Sequence, residues 1–466
     1  MTSTSGKSPS KTLCGRFLRA EALPSQITLL SPNRLLHLSY FMRRSNSMAV
    51  TLFVAFFCCG CKTTLDEVGL TTSATLPIGF DREKLSEIDT LIETGIAEHR
   101  MPGAVLWIEQ EGAAYHKAYG NRALEPVVEP MTEDTIFDAA SLTKVIATAP
   151  AIMLLVERGQ VEIDAPVQKY IEEFRRSGKD AITVRHLLTH TSGLRAGLSP
   201  RPDGARSAIA MACKEAVTNV PGTHFLYSDI NFILLGEIVQ RMSGRPLEAF
   251  VTAEIYGPLK MKDTRFLPWR TDWPRIAPTE RDGTNWLRGV VHDPTARHMD
   301  GVAGHAGLFT TASDLSRFAR MMLNYGQLDG VRIFRPETVA AMTLVQSPAV
   351  TEAKRGFGWD IDSAFSRRGT VFLLGSFGHT GFTGTAIWID PFSKTFWILL
   401  TNRVHPDGRS NIIALQKTFS TLAAEASGLR STQAASVSFP GLPIPIRSDE
   451  MRGEYANTPV SKYLQP

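Results

Sequence analysis

Phe137-Asp138-Ala139-Ala140-Ser141-Leu142-Thr143-Lys144 is the stretch around which the rest of the chain is organised. After Lys144 the apolar positions Val145, Ala149, Ile152, Met153 and Val156 recur at helical spacing, and Gly159 ends the run. The spacing predicts a buried helix with Ser141 on its first turn and Lys144 one turn further along the same face. A serine hydroxyl is a weak nucleophile until a base comes within hydrogen-bond reach, and a desolvated lysine can supply or assist that base. The helix N-terminus also favours negative charge developing near Ser141. The competing reading is a simple N-cap, because serine is common there and Ser-x-x-Lys recurs by chance in long chains. Other motifs must decide between the two.

The chain has 466 residues, 43% apolar and 21% charged, enough for one large soluble domain or two intimate ones. Its net charge of +4 is unevenly placed: residues 1–61 hold seven basic side chains and one acid, a net +6, so the remainder is −2. Nothing in that remainder asks for a nucleic-acid partner. Four of the five cysteines (Cys14, Cys58, Cys59, Cys61) also lie in the leader, which leaves Cys213 as a small core residue.

Residues 42–61 read as a secretory signal: Met42-Arg43-Arg44, an apolar run from Ala49 to Phe57, then Cys58-Cys59-Gly60-Cys61. The run is too short for a mature membrane span. Gly60-Cys61 is similar to the end of a bacterial lipobox, with Cys58 where that pattern prefers leucine. Cys61 is therefore expected to be lipidated, anchoring the protein at the periplasmic face of a bacterial membrane. Translation from Met42 or Met48, a long n-region and an organelle transit peptide are three accounts of residues 1–41.

The remaining organisation is a tether at 62–80, a domain at 81–427 and a Pro/Ser-rich tail at 428–466. Asp81 opens a helix with the apolar face Leu85, Ile88, Leu91, Ile92 and Ile96. Gly103 to Ile108 and Ala113 to Tyr119, separated by Glu111-Gly112, read as a β-hairpin. From about 165 to 290 helical patterns such as Ile230 to Met242 and Leu247 to Ile255 alternate with loops. Strand-like runs return at Val371 to Leu374, Thr385 to Ile389 and Phe396 to Thr401, before a final helix from Ile412 to Ala426. The expected fold is α+β: an antiparallel sheet flanked by N- and C-terminal helices, with an all-α region inserted.

Three further segments carry chemistry. In His186-Leu187-Leu188-Thr189-His190-Thr191-Ser192-Gly193-Leu194, the His-x-x-x-His spacing puts both imidazoles on one helical face. The zinc protease pattern requires Glu after the first His, where Leu187 stands, so a helix ending in a Thr-Ser-Gly turn is preferred and no metal is expected. In Tyr227-Ser228-Asp229-Ile230-Asn231, a tyrosine at a helix start beside a buried lysine could ionise at reduced cost and act as a base. The bland alternative is a buried tyrosine with Asp229 as N-cap. Gly378-His379-Thr380-Gly381-Phe382-Thr383-Gly384 enters a strand whose small residues would let a substrate approach the backbone, or is a plain Gly-rich turn.

Together, Ser-x-x-Lys, Tyr-Ser-Asp and His-Thr-Gly in this order resemble the β-lactamase-like serine hydrolases, which include class C β-lactamases, penicillin-binding DD-peptidases and related esterases. Leu187 to Leu194 and Gly304-His305-Ala306-Gly307-Leu308-Phe309 look like family segments, so the resemblance covers roughly residues 81–427. The blocks Ile276 to Glu280, Val291-His292-Asp293 and Thr401-Asn402-Arg403 look most like periplasmic lipoproteins of the penicillin-binding carboxypeptidase or esterase type. The resemblance implies Ser141 as the acylated nucleophile, Lys144 as its partner and Tyr227 as general base. It also implies an oxyanion hole from the backbone N–H groups of Ser141 and Phe382, substrate contacts from Asp229, His379, Thr380 and Gly381, and no cofactor. The partner would be a small-molecule or peptidoglycan-derived substrate.

Two departures stand out. Where the family commonly has Asn, Asp229 accepts from Lys144 but donates nothing when ionised, and tends to keep the lysine protonated. Where penicillin-recognising enzymes often have Lys, His379 is a weaker carboxylate partner. Both argue against an efficient β-lactamase. An acyl-enzyme hydrolase acting on an ester or D-alanyl peptide is the reading favoured over a β-lactamase and over a silent peptidoglycan-binding lipoprotein. A silent binder has no physical need for Ser141, Lys144 and Tyr227 together. Residues 195–220 and 262–300 are expected to shape the acyl pocket.

Overall fold

In the computed structural model, residues 79–175 and 178–430 are described, together with the two-residue strands Ser436–Val437 and Ile446–Arg447. The leader, Cys61, nearly all of the tether and most of the tail lie outside the described residues. Helix α1 (Arg82–Ala97) starts where the Asp81 carboxylate accepts from the N–H groups of Glu83 and Lys84. Strands β1 (Gly103–Gln110) and β2 (Ala113–Ala123) form the expected hairpin. Its two-residue turn places Glu111 and Gly112 at φ +49° and +90°, the mirror-image geometry that matches strand twist.

The main sheet is completed by β3 (Glu129–Pro130), β4 (Lys354–Arg355), β5 (Asp360–Asp362), β6 (Phe377–Thr380), β7 (Ala386–Asp390) and β8 (Thr395–Leu400). Its spatial order is β4-β5-β6-β7-β8-β1-β2-β3, antiparallel throughout. The first strand therefore pairs with the last, Val105 opposite Leu400 through Gln110 opposite Thr395. Strand β8 is buried along its whole length, and its side chains alternate between two cores. Trp397 and Leu399 pack with α1 and the C-terminal helix α6 (Ile413–Ala426), while Phe396, Ile398 and Leu400 face the all-α region. An apolar run without alternation is what a strand covered on both faces requires.

The expected α+β architecture is therefore present, with local corrections. Val371 to Leu374 is not a strand. Gly369 and Gly375 take φ of +70° and +105° on either side of it, so the chain bends there, and Val371 and Phe372 are buried against the terminal helices. The Gly378–Gly384 segment runs from the end of β6 through a turn into β7.

The helix after Ser141 is also not uniform. A 3₁₀ turn (Ala140–Leu142) runs into a π-helical turn (Lys144–Thr148), and only then into α2 (Ala149–Glu157). Pro150 explains the wide turn, because it lacks an N–H and its ring crowds the carbonyl four residues back. That carbonyl, of Ile146, accepts instead from the Tyr256 hydroxyl at 3.3 Å. The Ala140–Glu157 stretch is apolar and long enough to cross a membrane, but 89% of it is buried inside the fold.

Asp390, at the end of β7, is buried with its carboxylate accepting from Phe392 N–H and Ser393 Oγ, and burial pushes it up to about 6. The unfolded chain releases this proton near the ordinary 3.8, so between these values the native state holds the extra proton and stability falls as pH rises. Replacing it by Asn removes that loss. Melting curves from pH 4 to 7 should show wild type losing on the order of 3 kcal/mol relative to Asp390→Asn. Parallel curves for the two proteins would refute the assignment.

Candidate active site

Ser141 sits on the 3₁₀ turn just after the short strand Phe137–Asp138. The buried Asp138 carboxylate fixes this turn by accepting from Ala140 N–H at 2.8 Å and His292 N–H at 2.7 Å. Burial pushes the Asp138 carboxyl up, and these two N–H groups oppose the shift. Ala140, immediately before the serine, holds φ +47°, a region that costs a non-glycine residue on the order of 1 kcal/mol or more.

Lys144 is fully buried and makes three polar contacts. Its Nζ lies 3.0 Å from Ser141 Oγ, 2.9 Å from the His305 carbonyl and 2.8 Å from Asp229 Oδ1. Two of the ammonium hydrogens are donated, to Ser141 Oγ and to the His305 carbonyl, while Asp229 Oδ1 lies in ion-pair range without a directed hydrogen bond. Burial works to strip the proton, but the Asp229 charge and Tyr227 outweigh it, so Lys144 is held above the ordinary lysine range.

Tyr227 lies in the extended stretch before helix α4 (Asp229–Ser243), whose N-cap is Ser228 rather than Asp229. The loop at 190–196 holds that stretch: Ser228 N–H donates to His190 Nδ1, Ser228 Oγ to Arg195 O, and Asp229 N–H to Ala196 O. The Tyr227 ring stacks on His190 at 4.4 Å, lies 5.0 Å from Lys144 Nζ and packs against Phe365. Its hydroxyl is buried without a hydrogen-bond partner among the described residues.

The His-x-x-x-His spacing does not bring its two imidazoles together. Helix α3 (Val184–Leu188) ends before His190, which turns away with φ +55° to lie under Tyr227, while His186 completes the capping box of α3 with Thr183. His190 is kept neutral, well below the ordinary histidine range, by burial and by Arg355, Lys144 and His379.

The β6–β7 turn docks directly onto the serine turn. Thr385 Oγ1 donates to Ala139 O at 3.0 Å, and Thr383 Oγ1 donates to Asp138 O at 2.8 Å. A Cβ on Gly381 would stand 2.1 Å from Thr385 Oγ1 and 2.5 Å from Ala139 O, so no other residue allows this approach. The N–H groups of Ser141 and Phe382 make no hydrogen bond within the described chain, and both residues line one cleft of about 330 Å³. The Phe382 ring, exposed, stacks on His292 and lies beneath Arg403.

His379, Thr380 and Gly381 line the same cleft. His379 Nδ1 donates to the Thr380 carbonyl, which leaves Nε2, unpartnered, as an acceptor. Burial, Arg355 and Lys144 hold the ring neutral, well below its ordinary range, so the residue expected to meet a substrate carboxylate carries no charge with which to do so.

The cationic groups are elsewhere and were not anticipated. Arg355, Arg367 and Arg403 line the cleft with one carboxylate, Asp360, which pairs with Arg355 at 3.0 Å. Arg367 is buried yet bonded only to neutral acceptors: Gln416 Oε1 and the carbonyls of Phe365 and Ser366. Arg403 donates to Ser410 O. The cleft is built from residues 355–384 and 403–416, not from 195–220 and 262–300 as expected. Of those earlier segments, Arg195 and Ala196 hold Ser228 and Asp229 from behind. A larger cavity of about 990 Å³ lies on the all-α side among Ile209, Arg241 and Met299, and none of the nucleophile residues lines it.

Comparison with known proteins places this geometry. The chain is 34% identical over 367 residues to a Bacillus subtilis protein named N-acetylmuramyl-L-alanine amidase, spanning 70% of this chain and 82% of that one. It is also 34% identical over 378 residues to a Salmonella agona protein provisionally named D-alanyl-D-alanine carboxypeptidase, covering 72% and 86%. A class C β-lactamase structure shares the fold with a TM-score of 0.62 at 21% identity, over 74% of this chain and 96% of that one. An octameric penicillin-binding protein homologue from Pyrococcus abyssi gives 0.59 at 25% identity, over 73% and 79%. Residues 88–418 match the family described as Beta-lactamase, and with that match this chain belongs to the β-lactamase family.

Proposed function

We propose that this protein is a serine hydrolase that forms an acyl-enzyme on Ser141 with a D-alanyl-type peptide or an ester. The observation that carries the reading is the buried Lys144 ammonium, held between Ser141 Oγ and Asp229 against the Tyr227 ring. A lysine held protonated has no lone pair for the serine proton. Tyr227 Oη, buried without a hydrogen-bond partner among the described residues, is the acceptor that remains.

Ser141 Oγ attacks the substrate carbonyl carbon while its proton passes to Tyr227. The oxyanion is met by the free N–H groups of Ser141 and Phe382. Collapse expels the leaving group, which takes the proton from Tyr227. Water then attacks the acyl-enzyme ester carbonyl while its proton passes to Tyr227, and collapse breaks the bond to Ser141 Oγ, which takes that proton back as the acid leaves. Loss of one oxyanion donor typically lowers the rate about 10²–10³-fold.

The arginines favour a substrate that carries a carboxylate near the scissile bond, which fits a carboxypeptidase-type substrate better than a neutral ester. The neutral His379 and the acidic Asp229 weigh against efficient β-lactam turnover. We further propose that the protein works in the bacterial envelope, anchored through Cys61; Cys61→Ser should move it from the membrane fraction to the soluble one.

Intact-protein mass spectrometry with a fluorophosphonate, a penicillin and an acyl-D-alanyl thioester tests the reading. Ser141→Ala should lose adduct and turnover while melting as wild type; retained turnover would refute the nucleophile. Rapid penicillin turnover would make the protein a β-lactamase, and no adduct with any reagent would make it a silent binder. With a thioester whose leaving group ends in a carboxylate and its methyl ester as a pair, Arg367→Gln should reduce the preference for the charged substrate about tenfold or more. An unchanged ratio would remove the arginine from recognition. Asp229→Asn should lower the Lys144 pKa, visible as an earlier ¹⁵Nζ titration, since the Asp229 charge raises it. An unmoved titration would contradict that cause.

A further inference from the structure

We propose that Asp293 and His305 form a tether that fixes the direction of the His305 carbonyl, and through it the position of Lys144, making both of them positioning residues for acylation of Ser141. This rests on the hydrolase reading above. Two of the acceptors around Lys144 Nζ come from regular elements: Ser141 on the turn leading into α2, and Asp229 at the start of α4. The third, the His305 carbonyl at 2.9 Å, belongs to a tight turn between Ala303 and Ala306. A carbonyl in a turn is only as well aimed as the peptide planes on either side of it.

The turn is held on both flanks. Gly304 O accepts from Thr148 Oγ1 at 2.7 Å, and a Cβ on Gly304 would stand 2.0 Å from Phe232 O, so the backbone lies directly against α4. Leu308 N–H donates to Thr143 Oγ1. Between these anchors, rotation at residue 305 is opposed by its own side chain. The His305 ring is buried and its Nε2 lies 2.9 Å from Asp293 Oδ1. Asp293 is fixed in turn as the N-cap of the short helix α5 (Pro294–His298), accepting from Ala296 N–H at 2.7 Å. The link therefore runs from α5 through Asp293 and the imidazole to the carbonyl that Lys144 grips.

Polar atoms of Asp229, Asp293 and His305 also lie within 4.8 Å of one another, a spacing that would suit a cation. The Lys144 ammonium already holds the Asp229 member of that group, and this favours a tether over a metal site. Burial works against the Asp293 carboxylate, but His305, Ala296 N–H and Lys144 together hold it well below the ordinary range, as a permanent acceptor.

The test is the kinetics of Ser141 acylation in the full chain, by fluorophosphonate labelling and thioester hydrolysis. The variants are Asp293→Ala, Asp293→Asn, His305→Ala, His305→Gln, His305→Asn and the double alanine. Gln places an amide nitrogen about where Nε2 stands, Asn does not, and Asp293→Asn keeps both the cap and the acceptor. The alanine variants should lose about 10–100-fold in kcat with KM within about threefold, since the tether touches no substrate. His305→Gln and Asp293→Asn should recover most of the rate, His305→Asn little, and the double variant should be no slower than the worse single. Folded variants with kcat within twofold of wild type would overturn the tether. So would losses confined to KM, or losses that multiply in the double variant. If the alanine variants do not fold, the contrast between His305→Gln and His305→Asn decides alone. Turnover surviving in Ser141→Ala would remove the hydrolase reading itself, and the tether with it.

Discussion

A lysine ammonium taken wholly out of water has to find its hydrogen-bond acceptors inside the protein. The effective penalty for an unpaired buried charge is several kcal/mol, and hydrogen bonds together with an opposite charge offset it. Lys144 donates to an oxygen from its own turn and to a carbonyl 161 residues away, and it pairs with a carboxylate at the start of α4. Those three segments can converge only if the all-α region folds back onto the serine turn, so the inserted helices and the catalytic floor are one structural problem. The wide turn after Lys144 belongs to the same solution. Pro150 breaks the regular ladder at that point, and the Tyr256 hydroxyl takes up the carbonyl it frees.

The other half of the site depends on the sheet. Strands β1 and β8 join the two ends of the domain in the middle of the sheet, under side chains that are buried on both faces. The β6–β7 turn leaves this rigid frame and is locked to Asp138 and Ala139 through Thr383 and Thr385. Consequently the two free N–H groups are carried by elements that do not need to move when charge develops, the condition under which such donors are worth most.

How much of this could be read in the sequence follows from the range of the interactions. The Asp81 cap, the Glu111-Gly112 turn and the apolar faces of α1 and α6 are local patterns, and they stood in the chain for inspection. Ser141, Lys144, Tyr227 and Asp229 were legible as motifs, and the structure brings them together. Val371 to Leu374 misled because apolar β-branched and aromatic residues look alike whether they pair in a strand or fill a gap under helices. His190 misled because helical spacing says nothing of where the helix stops. The His305 carbonyl meets Lys144 161 residues away and Arg367 reaches Gln416 49 residues away, while Arg355, Arg403 and Asp293 are placed by contacts that no motif spelled out. Of these, Asp293, His305 and Arg403 stood in the blocks Val291-His292-Asp293, Gly304 to Phe309 and Thr401-Asn402-Arg403, while Arg355 and Arg367 stood in no recognised block.

The same distinction explains where charge ended up in the cleft. A cation on the strand at position 379 would sit beside Lys144 and Arg355, and burial with those two neighbours already drives the imidazole to its neutral form. Positive charge is tolerated instead where it can be spread over carbonyl and amide oxygens and stacked on a ring. Arg367 is spread over the oxygens of Gln416, Phe365 and Ser366, and Arg403 donates to Ser410 and lies over the Phe382 ring. The guanidinium suits such places because its charge is delocalised and its donors are fixed in a plane, so neutral acceptors can satisfy part of it and leave the rest for a ligand. In this chain, then, the strand supplies shape and backbone donors to the acyl group, while anion recognition falls to the surrounding loops.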